Sequence, residues 1–425
     1  MKILRLGSIG PSVQLLQLAL NRVGFGTLAT DGIFGTATQH ALRQFQGANG
    51  LTADGIVGAA THRALLPWYT GYIVHTVRAG DTLFSLASHY STDMNAIITA
   101  NPDINAHKLA VGSAVIVPLA FDVVPTDISY CSALIGYCVR GLAARYPFIT
   151  TGEIGKSVMG RPLWSMMLGR GENRVLYTAA HHANEWITAP LVLKFTEQLC
   201  RTYIEGGFIY SQSAAELLDY ATLFIVPALD TDGIDLVTGE LTAGEYYTAA
   251  SAVAAQYPQF PFPSGWKANI RGVDLNLQYP AGWEIARANK AALGITSPAP
   301  AEFVGQSPLS APESRVMYDY TLSVRPALAL SFHTQGEVIY WRYDGYAPSG
   351  AEDIGKAFSA VSGYALEDTP YASGFAGYKD WIISALDVPA FTIEAGRGTN
   401  PLPITDFDSI YADNLGILTL GALLT

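Results

Sequence analysis

From about residue 120 onward, short apolar runs alternate with helix-patterned stretches, and this alternation constrains the fold more than any other feature of the chain. "RVLYTAA" (174–180), "TLFIVPAL" (222–229), "ALALSFH" (327–333) and "PAFTIEAG" (389–396) read as strands. "ITAPLVLKFTEQL" (187–199) and "APESRVMYDYTLSV" (311–324) carry apolar residues at helical spacing. The pattern predicts an α/β domain with a mixed central sheet and helices on both faces. In such sheets ligands bind beyond the C-terminal ends of the strands, so residues just after the apolar runs are the first candidates for chemistry.

A chain of 425 residues exceeds one ordinary core, which predicts a large domain with one or two small ones. An apolar fraction of 49% against 14% charged residues fits packed globular structure. The net charge of −11, with scattered Lys and Arg, provides no basic stripe for a phosphate backbone and excludes nucleic acid as a partner. Apolar stretches such as "ATLFIVPALD" fall short of the roughly 20 residues that span a bilayer, so no membrane partner is expected and the chain is read as soluble. The opening "MKILRLGSIGPSVQ" reaches Gly and Pro before a secretory core forms, so no export signal is visible. Cys131, Cys138 and Cys200 are too few for a disulfide framework. Buried free thiols are the expectation, with a Cys131–Cys138 bridge as the alternative.

Residues 1–68 form the first predicted domain. "PSVQLLQLALNRVG" places Val13, Leu16, Ala19, Leu20 and Val23 on one helical face, with Ser12 as the expected N-cap and Gly24 as the stop. Two stretches then echo one another: "DGIFGTATQHALRQFQ" from Asp31 and "DGIVGAATHRALLP" from Asp54. In each, an Asp-Gly turn leads into a helix. The pattern of "LQLAL", "DGIFG" and "FQGANGLTADGIVG" resembles the peptidoglycan-binding domain attached to many cell-wall hydrolases.

The second predicted domain, 72–119, reads strand, turn at Gly80-Asp81, helix from Leu83 to His89, helix from Met94 to Ala100, and closing strand "SAVIVP". "VRAGDTLFSLA", "ANP" and the closing strand in this β-α-α-β order resemble a LysM domain, a module that recognises N-acetylglucosamine-containing glycans. The resemblance implies glycan contacts near Gly80, Asp81 and Thr82 and near Asn101 and Pro102.

The third predicted domain, 122–425, holds His181, His182 and His333, each following a predicted strand. In "YTAAHHANEW", His182 and Glu185 lie at i and i+3 and share one side of a tight turn, whereas His181 on extended backbone points the other way. With His333 of "SFHTQGE" they make two imidazoles and a carboxylate, a set that binds zinc and leaves a position for water. On spacing alone the motif is weak, and a surface-turn histidine paired with a carboxylate is the commoner outcome; the conjunction with a strand-end histidine far downstream and the acid of "AFTIEAG" strengthens the metal reading.

"YTAAHHANEW", "ALSFHTQG", "NIRGVDLN", "PAFTIEAG" and "GRPLW" at Gly160 occur in the order of the zinc carboxypeptidase family, the carboxypeptidase A-like peptidases, which this domain resembles. The resemblance implies one Zn2+ held by His182, Glu185 and His333. It also implies Glu394 as general base and Arg271 as the cation that stabilises a developing oxyanion. Where digestive members have Asn-Arg to grip a terminal carboxylate, this chain has Asn276-Leu277. Asn276 keeps a hydrogen-bonding role; Leu277 cannot form the ion pair. Tyr371 is the nearest counterpart of the family's substrate-closing tyrosine.

"HTQGEVIYW" and "EAGRGTNPLP" look most like the γ-D-glutamyl-diamino-acid endopeptidases. The resemblance implies hydrolysis of the bond between D-glutamate and diaminopimelate or lysine in peptidoglycan stem peptides. Arg397, Lys379 and Arg342 are then candidates to meet substrate carboxylates. The alternatives are a metallocarboxypeptidase acting on other peptides, a zinc-dependent deacylase, and a non-catalytic glycan-binding protein. Residence is left open: a wall substrate places the chain outside the membrane, whereas the missing signal allows a cytoplasmic or sporulation-compartment location.

Overall fold

The computed structural model describes residues 2–424. Two compact units emerge, one of residues 1–129 with 136–150 and the other of 130–135 with 151–425.

The first unit begins with helices α1 (Pro11–Val23), α2 (Thr36–Ala48) and α3 (Ala59–Thr70). Ser12 does not cap α1. The helix starts two residues earlier than that cap implies, with Pro11 at its first position and Gly10 as the cap at φ 113°, a conformation open to glycine. Gly24 ends it in the left-handed region at φ 88°.

The sequence echo corresponds to a repeated clasp. The amide nitrogen of Gln17 donates to Asp31 Oδ1 (2.8 Å), Ile33 O (3.1 Å) and Thr38 Oγ1 (3.3 Å), and its oxygen accepts from Gly32 N (2.9 Å). Gln46 does the same with Asp54 (2.9 Å), Ile56 (3.0 Å), Thr61 (3.1 Å) and Gly55 N (2.9 Å). Both glutamines are buried, and each engages both its amide nitrogen and its amide oxygen in fastening one Asp-Gly turn to the next helix.

Strands β1 (Tyr72–Thr76) and β2 (Ala114–Pro118) then pair antiparallel around α4 (Leu83–His89) and α5 (Met94–Ala100). Their core is small, built on Val77, Leu83, Leu86, Ile97, Val115 and Val117. Helix α6 (Ser132–Arg145) follows. Cys131, Cys138 and Cys200 are buried free thiols. Positions seven apart along a helix lie about 10 Å from one another, beyond the reach of a disulfide.

The second unit is built on an eight-stranded sheet. Its strands are β3 (Thr150–Lys156), β4 (Pro162–Gly169), β5 (Asn173–Ala179), β8 (Ala221–Val226), β9 (Leu328–His333), β10 (Val338–Tyr340), β11 (Ala365–Glu367) and β12 (Ala390–Glu394). β6 (Phe208–Ile209) and β7 (Gln212–Ser213) form a separate short hairpin. The order is β11-β10-β12-β9-β5-β8-β4-β3. β12, β9, β5 and β8 run parallel, while β10 and β4 pair antiparallel with the ends of this central group. Every residue of β9 is buried, as expected for a strand covered on both faces. The long helix α7 (Thr188–Glu205) follows the turn after β5 and stops at Gly206. Among the described residues no helix is long and apolar enough to cross a membrane.

Candidate metal centre and its cleft

Three adjacent parallel strands, β5, β9 and β12, end at the same edge of the sheet, and the candidate residues lie there. Glu394 is directly opposite His333 in the register of β12 and β9, and Ala179 opposite Phe332 in that of β5 and β9. The chain leaves β5 through Ala180 at φ 47°, a conformation that costs about 1 kcal/mol or more for a non-glycine residue. Thr188 fastens this bend: its hydroxyl accepts from Ala180 N (2.9 Å) and donates to Glu185 O (2.8 Å). His182 is still extended, and residues Ala183–Glu185 then form one turn of 3₁₀-helix that brings the Glu185 carboxylate back to it.

His182, Glu185 and His333 are the one group of three potential metal-ligating side chains, among the described residues, whose donor atoms lie within 4.8 Å of one another. His182 Nδ1 is 2.9 Å from Glu185 Oε1, His333 Nδ1 is 2.8 Å from Glu185 Oε2, and the two Nδ1 atoms are 3.1 Å apart. Tetrahedral ligands at zinc–nitrogen and zinc–oxygen distances would stand about 3.3 Å apart, so the donor set and its spacing fit this ion. The far ring nitrogens are engaged as well, His182 Nε2 with Asp274 Oδ1 (3.2 Å) and His333 Nε2 with Ser331 Oγ (3.1 Å), which fixes both rings. His181 is buried outside this group, contacting Tyr279 Oη (3.3 Å) and Ser331 Oγ (3.4 Å), with its ring stacked on that of His333.

The electrostatics suit a site built for a cation. Burial opposes the charge on His182, but the carboxylates of Glu185 and Asp274 outweigh it and raise its pKa to about 9. Glu394 faces the same cleft without a cation bonded to it. Burial, then the charge of Glu185, push its pKa up to about 8 against the opposing pull of Lys267 and His182.

His182, Glu394, Asn276, Leu277 and Lys379 all line one cleft, which encloses about 770 Å³ of space open to solvent. The remaining candidates lie elsewhere. Arg271 is exposed at the tip of a turn closed by Gly272 N–H to Asn269 O (2.8 Å) and by its own N–H to Asn269 Oδ1 (3.1 Å). This reversal leaves it outside the residues that line the cleft. The cation in the cleft wall is Lys267, whose carbonyl accepts from Ala183 N (3.1 Å) inside the histidine turn. Among the described residues its ammonium has no ion-pair or hydrogen-bond partner. Burial opposes its charge, but Glu185, Asp274, Glu302 and Glu394 keep its pKa above the ordinary lysine range. Only the structure singles it out: Lys267 lies between Trp266 and Ala268, both buried, where a lysine is costly unless it has a use.

Arg397 is on the surface, paired with Glu337 at 2.5 Å. Arg342 is paired with Asp368 beside a neighbouring groove. Tyr371 also belongs to that groove; it is 68% exposed and packs edge-on against Phe375. Lys379 does reach the cleft but is not a free cation, being bonded to Asp380 (2.6 Å) and to the Arg342 carbonyl (2.7 Å). The Asn276 amide oxygen accepts from Tyr378 N (2.9 Å), leaving the amide hydrogens for a ligand.

In the β-α-α-β module, three of the side chains proposed for glycan contact are engaged internally. Asp81 binds His75 (2.8 Å) and Arg78 N (2.7 Å), and Thr82 caps α4 through Ser85. Asn101 is spent on Ile97 O (2.7 Å) and on Ile116 O (2.7 Å) and N (2.9 Å). Gly80 is exposed, and Pro102 lines a groove beside the loop that joins α5 to β2.

A mixed sheet whose central parallel strands bring two histidines and a glutamate to one edge, with a second glutamate beside them, has the make-up of a metal-dependent hydrolase. The family model of the zinc carboxypeptidases matches residues 137–415, and the chain belongs to that family. Residues 9–65 match a peptidoglycan binding domain and residues 75–118 a LysM domain. The chain is 40% identical over 286 residues to gamma-D-glutamyl-L-diamino acid endopeptidase 1 of Lysinibacillus sphaericus, covering 67% of this chain and 70% of that one. It is 38% identical over 277 residues to an uncharacterized protein of Bacillus subtilis, covering 64% and 72%. The carboxypeptidase A of Helicoverpa armigera shares the fold, with a TM-score of 0.52 at 20% identity over 78% of each chain.

Proposed function

We propose that this chain hydrolyses the amide bond between D-glutamate and a diamino acid in peptidoglycan stem peptides, using one zinc ion held by His182, Glu185 and His333. The observation that carries the reading is the 40% identity, across two-thirds of the chain, to an endopeptidase named for that bond. Leu277, apolar and buried in the cleft wall, also argues against gripping an ordinary C-terminal carboxylate.

When bound, zinc would supply an acidified water and a polarised carbonyl. Glu394, in its ionised form, takes the proton of the attacking water and returns it to the leaving amine. Lys267, free of a bonded carboxylate, places a fixed positive charge where the carbonyl oxygen gains negative charge, the role first expected of Arg271. Asp274 holds the His182 ring in place for this chemistry. The two N-terminal modules raise the effective concentration of the active site on an insoluble polymer, even where each binds weakly.

Mass spectrometry of muropeptides after digestion tests the reading. Products ending in D-glutamate support it; loss of only a terminal D-alanine overturns it.

A further inference from the structure

The charges lining the cleft are unevenly committed. Among the described residues Lys267 has no bonded partner, whereas Lys379 is 2.6 Å from Asp380. Both side chains of this pair line the cleft that holds His182 and Glu394, and they are only 4% and 3% exposed. Asp380 is oriented by Gly377 N–H at 3.0 Å and Lys379 by the Arg342 carbonyl at 2.7 Å. These bonds use two of the three ammonium hydrogens, so one hydrogen and part of the carboxylate's accepting capacity remain for a ligand.

A buried ion pair is a poor stability device, because apolar residues of similar volume commonly serve as well or better. As a recognition device it is selective. Its net charge is zero, so it attracts neither a lone anion nor a lone cation strongly. It is complementary to a group that carries an ammonium and a carboxylate on the same carbon. The other pair in the cleft, Lys290 with Glu302, serves the rim instead. Lys290 also donates to the Ala372 carbonyl (2.9 Å) and so ties down the rim loop, and Glu302 is 31% exposed.

We infer that the Lys379–Asp380 pair binds the zwitterionic end of a diaminopimelate side chain and so selects diaminopimelate over lysine. This rests on the reading under Proposed function. A diaminopimelate residue linked through one amino group still presents a free ammonium and carboxylate at its far carbon; a lysine residue presents only the ammonium. The far carboxylate would meet Lys379 and the far ammonium Asp380.

Steady-state kinetics of the full zinc-loaded chain on three tripeptides tests the inference: L-Ala-γ-D-Glu-meso-diaminopimelate, the same peptide with the far carboxylate amidated, and the L-lysine analogue. The kcat/KM is expected to fall at least about 100-fold from the first to each of the others, as when a site built to bond a polar group meets an analogue lacking it. Lys379→Met is expected to collapse the diaminopimelate-to-lysine ratio towards one. Equilibrium binding of the same peptides to the Glu394→Gln chain is expected to show the same order of affinity. Equal turnover of all three peptides by the unsubstituted chain, or a ratio unmoved in Lys379→Met, would overturn the inference and leave the endopeptidase reading standing. Turnover of none of them, with the diaminopimelate peptide still bound preferentially, would overturn the endopeptidase reading instead. If the Met variant does not fold, the amidated peptide decides the question on the unsubstituted chain.

Discussion

Glu394 and His333 are register partners at the ends of two adjacent parallel strands. The proposed base and a proposed ligand are therefore spaced by the sheet itself and not by a loop. Glu394→Gln keeps the shape of the side chain and removes its basicity. It is expected to retain stoichiometric zinc by elemental analysis while kcat falls about 10²–10⁴-fold. Loss of the metal in this variant would mean that Glu394 is a ligand and not a base.

Lys267 and Arg271 make opposite predictions. Lys267→Met is expected to lower kcat about 10²–10³-fold, with less effect on KM, because the charge acts on the oxygen that becomes negative during reaction. Arg271→Ala, at an exposed turn, is expected to change kcat/KM less than about threefold. The reverse ranking would restore Arg271 to the site.

Zinc binding is expected to release a proton at neutral pH. The folded pKa of His182, about 9, lies above its ordinary value of 6.5, so below pH 9 the metal must displace a proton from the ring. Glu394, at about 8, would add a further fraction as the incoming charge favours its ionised form. Zinc affinity therefore falls as pH drops from 9. Calorimetry of zinc binding to the metal-free chain, in buffers of differing ionisation enthalpy, reads the proton count directly. A count of zero at pH 7 would contradict the buried network as described.

The twin clasps allow a locally resolved stability test. Gln46→Leu strands the buried Gly55 N–H and removes the bonds to Asp54, Ile56 and Thr61, and is expected to cost about 1–3 kcal/mol. Hydrogen exchange should show protection lost at Gly55 and largely kept at Gly32, whose partner is Gln17. Asp54 also links the clasp to pH: the Ile56 N–H and the Gln46 amide lower its pKa. Its contribution is present above the ordinary carboxylate value of 3.8 and is lost as pH falls through the lower folded one.

Residue type and strand position made much of the candidate site legible. His182, Glu185, His333 and Glu394 lie at or just after the ends of apolar runs of strand length, and such sheets gather strand ends at one edge. The short helices from Leu83 and from Met94 were legible because turn and capping residues bracket them. Lys267 was not, since the reversal at Gly272 decides which cation of "WKANIRG" joins the cleft wall, and the resemblance carried by "NIRGVDLN" implied Arg271. Nor could the pattern show that Arg342 and Arg397 are satisfied by Asp368 and Glu337, which lie far away in sequence. Ser12 looked like a cap because serine usually is one, but Pro11 already suits the first position of a helix.

The loop from Thr369 to Gly374 contributes to the cleft's rim yet carries none of the strand-end residues, and it is anchored from outside by the Lys290 bond to Ala372. The strand ends and the rim are thus supplied by separate stretches of chain. Grafting a different rim between Thr369 and Gly374, with Lys290 retained as its anchor, would reshape the mouth of the cleft and leave both the sheet edge and the Lys379–Asp380 pair in place.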